Sequence, residues 1–473
     1  MENRARWTVL WGIVCLVAAP ACGDVEGQQA PKPVMVRGGG VGMGPISGVI
    51  NVFVLDDDTD KPIAGAAVRV GPSAAAMPCS VVTDSTGLAI FDGKSCAGLK
   101  GPQSVTASAG AYAPATWIGV NGANLTLSLR ASARSTVETA TAQGTIDKWS
   151  TLPEPAMNHS TLAVILYSQT HDLGDRANEI QQGKRSVNAG ILGAIDIPAN
   201  VCVRNVLVDD CSWKMTTRTG RQAHYAVILD QDTKGTPNND ADDTFTVTGW
   251  AVKTGLTFNA GQTATGEALS LLADADMTTM TMAFASAPAG LDDVAALPLI
   301  ELGDDGRIII ATPRLDPMTP TARVPRLTGS LSGGRYDVLG IAQDAKDKSQ
   351  PATLTWLRAV NVASPVMVSR WLIPPSELAA SAGTYSFAAV MGANVHGADF
   401  ETMDGSRLWS VTLFDNSTSF TLPGLSPDPL PAGMVRMKVN AIEIPGVDLN
   451  NVAFDDLADK LTRLSSNELI FTR

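Results

Sequence analysis

Along most of this chain, short apolar runs rich in Val, Ile and Thr are broken every few residues by Gly, Pro, Asp and Asn. That is the pattern of strands joined by turns rather than of long helices. Ile46 to Val54 alternates as a strand, Asp56 to Pro62 makes a polar turn, and Ala64 to Val70 is the next strand. Val81 to Thr83 and Leu88 to Phe91 flank Asp84-Ser85-Thr86-Gly87 as a hairpin, and Gly87 supplies the positive φ its turn needs. Gln103 to Ala109 and Leu125 to Leu129 complete a first set of strands over 46–130.

Ala131 to Gln143, rich in Ala, Thr and Ser, reads as a linker. Beyond it, Leu162 to Tyr167, Val201 to Val208, Tyr225 to Leu229 and Phe245 to Val247 predict strands of a second β-rich domain over 144–275. Pro313, Pro317, Pro320 and Pro325 mark a loop-rich join in a third domain, 276–473. Its strands are expected at Arg307 to Ile310, Tyr336 to Ile341, Leu354 to Leu357, Val366 to Ile373, Tyr385 to Met391, Trp409 to Phe414 and Val435 to Ile444. Asn450 to Leu464 predicts a helix, because Val452, Leu457, Leu461 and Leu464 share one face at 3.6 spacing. Glu377 to Ala380 predicts another helical turn. The expected fold is mainly β: several β-sandwich-like domains in tandem, with one short C-terminal helix.

The first residues break this pattern. Arg4 and Arg6 precede a thirteen-residue apolar run, Trp7 to Ala19, too short for the roughly 20 residues a membrane span needs. With Ala19-Pro20-Ala21 after it, 1–21 reads as a secretory signal peptide cleaved after Ala21. Ala19-Pro20-Ala21-Cys22 also resembles the bacterial lipobox, which implies lipid on Cys22. Ala19 stands where Leu is commonest. Ordinary cleavage at the same bond would leave Cys22 unmodified. Parity favours the lipid: Cys15 leaves with the signal, and Cys79 with Cys96 and Cys202 with Cys211 form sequence-local pairs that predict disulfides. Two cysteines without a nearby His make a poor zinc site. Residues 22–45, with Gln28-Gln29, Pro31, Pro33 and Gly38-Gly39-Gly40, read as a flexible tether.

The first set of strands carries a recognisable arrangement. Gly48 lies in the first strand, an acidic turn follows, then Pro62, Gly65-Ala66-x-Val68 and Thr83-Asp84-x-x-Gly87-x-x-x-Phe91, with Gly110-Ala111-Tyr112 near the close. These residues resemble the carboxypeptidase regulatory-like domain, a transthyretin-like β-sandwich. The resemblance implies a non-catalytic module for folding, spacing or partner contact, and it carries over no catalytic residue.

Charge narrows the partners. The chain has 35 Lys+Arg against 47 Asp+Glu, and loss of Arg4, Arg6 and Glu2 with the signal leaves 33 against 46. That balance argues against nucleic acid and against a polybasic membrane patch. The expected partners are the membrane, through the lipid, and a protein or polysaccharide of the cell envelope. The expected location is the outer membrane or cell surface.

Candidate chemistry is sparse. The four histidines, His159, His171, His224 and His396, show no HExxH or His-x-His spacing. His171-Asp172 with Asp175 falls short of the three protein ligands of a catalytic zinc. No G-x-S-x-G elbow occurs, and Gly329-Ser330-Leu331-Ser332-Gly333 reads as a turn. The densest polar stretch runs from Asp230 to Asp243. Its carboxylates, Asp230, Asp232, Asp240, Asp242 and Asp243, are candidate Ca²⁺ ligands. Lys234 in a ligand place and Ala241 in place of the closing Glu exclude an EF-hand, and a solvated turn is the simpler reading. Asp56, Asp57, Asp58 and Asp60 are read the same way. Three functions compete: a lipid-anchored, non-catalytic binding or scaffolding protein; a carbohydrate-active or other hydrolase, with sugar-stacking residues among Trp213, Trp250, Trp356, Trp371 and Trp409; and a calcium-stabilised adhesin.

Overall fold

A computed structural model of the chain describes residues 33–133, 137–170, 180–188, 194–236, 242–310, 320–346, 351–457 and 459–473. Those from Met35 onward form one compact unit. Strands dominate, and among the described residues helical geometry is confined to three-residue turns.

The first strands are β1 (Gly40–Gly42), β2 (Ile50–Asp56), β3 (Ala67–Gly71), β4 (Cys79–Val82), β5 (Leu88–Phe91), β6 (Gln103–Ser108), β7 (Tyr112–Ala113), β8 (Ala115–Val120) and β9 (Asn124–Ala131). Two layers face each other. One holds β1, β9, β2 and β5; the other holds β8, β6, β3 and β4. Between them lies a dry core of Ile50, Val52, Val54, Val68, Val70, Phe91, Leu125 and Leu127. The β4–β5 turn is as expected: Gly87 has φ +73°, and Asp84 accepts from Thr86 and Leu88 backbone amides. Cys79 and Cys96 form a disulfide across 17 residues, which stabilises the module by roughly 3 kcal/mol in the chain-entropy model. Tyr112 donates from its hydroxyl to Asp56 at 2.9 Å, pinning the end of β7 to the acidic turn.

The layers do not end at residue 130. β8 pairs in parallel with Arg407–Leu413, so β8, β6, β3 and β4 extend a twelve-stranded sheet whose other eight strands lie within residues 293–472. β1 lies between β9 and Val452–Ala453. The stretch read as a tether is therefore strand-paired from Gly40. The glycines permit this: a Cβ at Gly40 would lie 2.5 Å from the Val452 carbonyl oxygen.

The middle strands are β10 (Thr139–Asp147), β11 (His159–Tyr167), β12 (Lys184–Asn188), β13 (Ala194–Pro198), β14 (Val201–Arg204), β15 (Asp209–Asp210), β16 (Trp213–Arg218), β17 (Gly220–Asp232), β18 (Thr244–Phe258) and β19 (Thr263–Leu271). Part of the expected linker is thus strand β10, whose Ala140 and Ala142 are buried. Small residues gave it little hydrophobic signal, yet small is what its packing requires. A Cβ on Gly144 would sit 1.6 Å from the Glu267 carbonyl oxygen of β19. Eight of these strands form a sheet in the order β15-β14-β11-β17-β18-β19-β10-β16, curled so that β11 approaches β16 around Ala163, Ile165, Trp213, Met215 and Ile228. The outer edge of β16 is closed by an amide side chain. Gln182 donates to the Thr216 carbonyl at 2.8 Å and accepts from its N–H at 3.0 Å, satisfying groups a bare edge would expose.

The sheet's other face packs on the C-terminal strands through Tyr225, Val227, Trp250, Met280, Ile308 and Val338. The expected C-terminal helix over 450–464 is instead strand Val452–Ala453, a single helical turn Asp455–Leu457 and strand Arg463–Thr472. Its apolar spacing has another cause: Val452 belongs to the first core, and Leu461 and Leu464 to a separate cluster with Trp356. The turn expected at Glu377–Ala380 is also absent there. Glu377 has φ +53° and Ala379–Ser381 is a strand paired with Thr384–Ser386.

Two histidines are core residues. His224 is fully buried, stacked on Phe258 at 5.0 Å, and burial first, with Lys253 and Arg218 adding, lowers its pKa to about 3. His396 is 2% exposed with neither ring nitrogen hydrogen-bonded among the described residues, and burial lowers its pKa too. A neutral folded His and a free unfolded one, near 6.5, make stability fall as pH drops below 6.5. His224 alone should cost roughly 2 kcal/mol between pH 7.5 and 5. The melting midpoint should therefore fall across that range, and less in His224→Phe; equal falls would refute the assignment. Gly144→Ala should lower the midpoint at any pH, by more than about 2 kcal/mol of stability, because backbone rather than side chain stands in its way.

Candidate functional site

Strand register brings the acidic segment to one end of the eight-stranded sheet. His159 pairs with Asp232 and Asp232 with Thr244; one step inward, Thr161 pairs with both Asp230 and Arg204. Rows two residues apart share a face of a strand, so His159, Asp230 and Asp232 converge. His159 Nδ1 lies 3.0 and 2.9 Å from the Asp230 carboxylate oxygens, and its Nε2 3.9 Å from Asp232. Nothing local in the sequence marks His159 for a role; only register supplies its partner 71 residues away.

The described candidate calcium ligands meet protein donors. Asp232 accepts from Lys234 Nζ and the Lys234 backbone, and these bonds, the ammonium's first, hold its carboxyl below the usual range. Asp242 accepts from the Thr236 hydroxyl at 2.8 Å, and Asp243 from Gln231 at 2.5 Å. Asp240 lies outside the described residues, as do Cys22, His171, Asp172 and Asp175. Among the described residues no group of three acidic, His or Cys side chains is arranged to hold a metal. The arrangement shown is that of a polar, hydrogen-bonded hairpin end.

Beside it stands the second predicted disulfide, Cys202–Cys211, with Cα atoms 4.3 Å apart. It closes the β14–β15 hairpin, shorter than the strand expected over 201–208, with Val206 and Leu207 at its tip. The base is rigid. Arg204, its side chain 4% exposed, donates to the Leu152 carbonyl at 2.8 Å and pairs with Asp209 at 2.9 Å. Asp209 also accepts from the Trp149 indole, and Arg204 is the main cause of its lowered pKa. Arg185 pairs with Asp210 at 2.7 Å.

Elsewhere, two guanidinium groups pack on the Trp356 ring, Arg307 at 4.7 Å and Arg358 at 4.5 Å, with Glu301 on Arg307 at 2.8 Å. Buried Asp337 accepts from Trp356, Arg358 and the Ala359 amide. These groups pair with one another, the signature of a structural cluster. Four of the five candidate sugar-stacking tryptophans, Trp213, Trp250, Trp356 and Trp409, are buried, and Trp371 is half-buried against Gly340. Gly329–Leu331 is a turn that buries Leu331. Two open hollows lie along the seam of the first module. One, about 350 Å³, is lined by Ser104, Asp415 and Ser419; the other, about 530 Å³, by Arg69, Tyr112, Arg407, Leu408, Leu425 and Pro427.

No protein-family model matches the chain, and no curated protein does. Among solved structures it is similar to the Bacillus anthracis TIE protein, 9% identical over 69% of this chain and 51% of that one, with a TM-score of 0.14. It is also similar to the shaft pilin SpaA from Lactobacillus rhamnosus GG, at 9% identity over 49% of this chain and 99% of that one, TM-score 0.13. A third is a tetra-tandem repeat in the extending region of a large adhesion protein, at 11% identity over 90% and 99%, TM-score 0.14. The chain thus spans about half the length of the TIE protein, and at such TM-scores the likenesses carry no meaning for its role.

Because these carboxylates already have protein donors, a chelator should leave the melting midpoint unchanged within about 1 °C. A rise of several degrees on adding Ca²⁺ would restore the calcium loop.

Proposed function

We propose that the chain is a lipid-anchored, extracytoplasmic protein whose β-domains bind or scaffold rather than catalyse. The observation that carries this is cysteine pairing. Cys79 with Cys96 and Cys202 with Cys211 are disulfides, which belong in an oxidising compartment. Beyond the expected signal, Cys22 alone is then left to take lipid. The non-catalytic reading is supported by the fate of the candidate chemistry: two histidines serve as core, the third described one as a hydrogen-bond partner, and most of the tryptophans as core. The regulatory-like resemblance of 46–130 agrees with a spacing or contact role. Mass spectrometry of the mature N-terminus tests the anchor. A diacylglyceryl group on Cys22, lost in Cys22→Ser together with membrane association, is the expected result. An unmodified Cys22 after cleavage would leave a secreted, unanchored protein.

A further inference from the structure

Three fully buried side chains meet where the chain leaves β16 and enters β17: Thr217, Gln222 and His224. The Thr217 hydroxyl donates to Gln222 Oε1 at 2.9 Å, and His224 Nε2 lies 3.5 Å from the same hydroxyl oxygen. Gln222 Nε2 donates to the Arg218 carbonyl at 3.0 Å, which holds the carboxamide with its carbonyl end toward Thr217. The imidazole is the member that packing does not explain. Its Nδ1 has no hydrogen-bond partner among the described residues, a costly state for a buried polar atom. The tautomer of a histidine is set by the hydrogen bond its other nitrogen makes, and here no such bond holds Nδ1. Nε2, which faces Thr217, is therefore free to take up a proton and to return it. Burial keeps the ring neutral, so the lone pair this needs is available.

A hydroxyl, a base beside it and an acyl carbon held against it are the parts of an acyl transfer. Here all three are fixed by the fold, so the ordering that a reaction between separate molecules must supply is already in place. Phe258 stacks on the imidazole at 5.0 Å and Trp213 meets it edge-on at 6.2 Å. These rings keep out water, which would otherwise compete as nucleophile and hydrolyse an ester once made.

We propose that Thr217 and Gln222 become joined by an intramolecular ester, formed once in each folded molecule with His224 as the base. His224 Nε2 takes the hydroxyl proton as Thr217 Oγ1 bonds to Gln222 Cδ. The Cδ–Nε2 bond of Gln222 then breaks, its nitrogen takes that proton from His224, and ammonia leaves. The step needs no metal, oxidant or second substrate. Its product fastens a place that backbone pairing leaves open. β16 is the edge of the eight-stranded sheet, laddered to β10, whereas β17 lies between β11 and β18. The ester ties that edge to the sheet's interior and fixes the curl. It depends neither on the lipid anchor nor on a binding role.

Mass spectrometry of the secreted chain carrying Cys22→Ser tests it without lipid. The intact mass should lie about 17 Da below that of the mature chain with both disulfides formed, the loss of one ammonia. Trypsin cuts after Lys214, Arg218 and Arg221. In the linked protein Met215–Arg218 should stay attached to the peptide that begins at Gln222, and hydroxylamine, which cleaves esters, should release it. Thr217→Val should have full mass. His224→Phe, which keeps a ring on Phe258, should slow linking by about 100-fold or more, read as the linked fraction against time after secretion. Full mass in the unsubstituted protein would overturn the proposal without recourse to any variant. So would a free Met215–Arg218 peptide beside pyroglutamate at Gln222, which loses the same ammonia without a cross-link, and so would linking at an unchanged rate in His224→Phe.

Discussion

The architecture hangs on one seam, where strand β8 runs parallel to Arg407–Leu413. At its centre the Trp409 indole donates to the Thr116 hydroxyl at 2.9 Å, and Thr116 exchanges a 2.8 Å bond with Thr106 of β6. All three residues are buried, and 293 positions separate the indole from its acceptor. Parallel pairing needs a crossover, and here the intervening chain supplies it. Without this contact the inner layer of the first module would end in a bare edge. Trp117 completes the join, its ring packed on Phe414 at 5.4 Å and on Phe454 at 5.2 Å.

From that seam the remaining parts follow. Strand β1 enters between β9 and Val452–Ala453, so the outer layer is finished by the C-terminal region as well. The curled middle sheet is attached by an equally specific device. Buried Asp305 accepts from Arg221 at 2.6 Å and from the Gly255 amide at 2.9 Å, which fastens the β17–β18 hairpin to a turn of the C-terminal region. Gln169 and Arg307 exchange backbone hydrogen bonds at 2.8 Å beside it. Apolar burial then supplies the bulk of the stabilisation, while these few polar contacts select one arrangement of the layers.

How much of this could be read from the residues depends on range. Local chemistry was legible: the Asp84–Gly87 turn, the apolar runs of β2 and β11 as strands, and both disulfides follow from neighbours in sequence, although β2 is buried on both faces where alternation was expected. Strand β10 was not, because Ala140 and Ala142 look like linker, and only the facing Glu267 backbone shows why the next position must be Gly144. The C-terminal helix failed for a related reason. Val452 and Leu461 repeat at helical spacing but serve different cores, and periodicity cannot tell one shared face from two destinations. At the candidate site, the acidic segment was visible as composition. Its meaning came from His159, which only strand register places beside Asp230.

Two turns show how a single polar side chain orders a loop in such a chain. In the Asp84–Gly87 turn every local choice agrees: Asp84 accepts from Thr86 and Leu88, and Gly87 takes the positive φ. Nothing there asks for a partner. At Asn205–Val208 the polar residue takes the same role, with Val206 and Leu207 exposed beyond it. Beneath it stand the Arg204–Asp209 pair, the Cys202–Cys211 disulfide and the small apolar cluster of Val187, Val203 and Val208. In both turns the first residue's side chain supplies the acceptor that orders the loop.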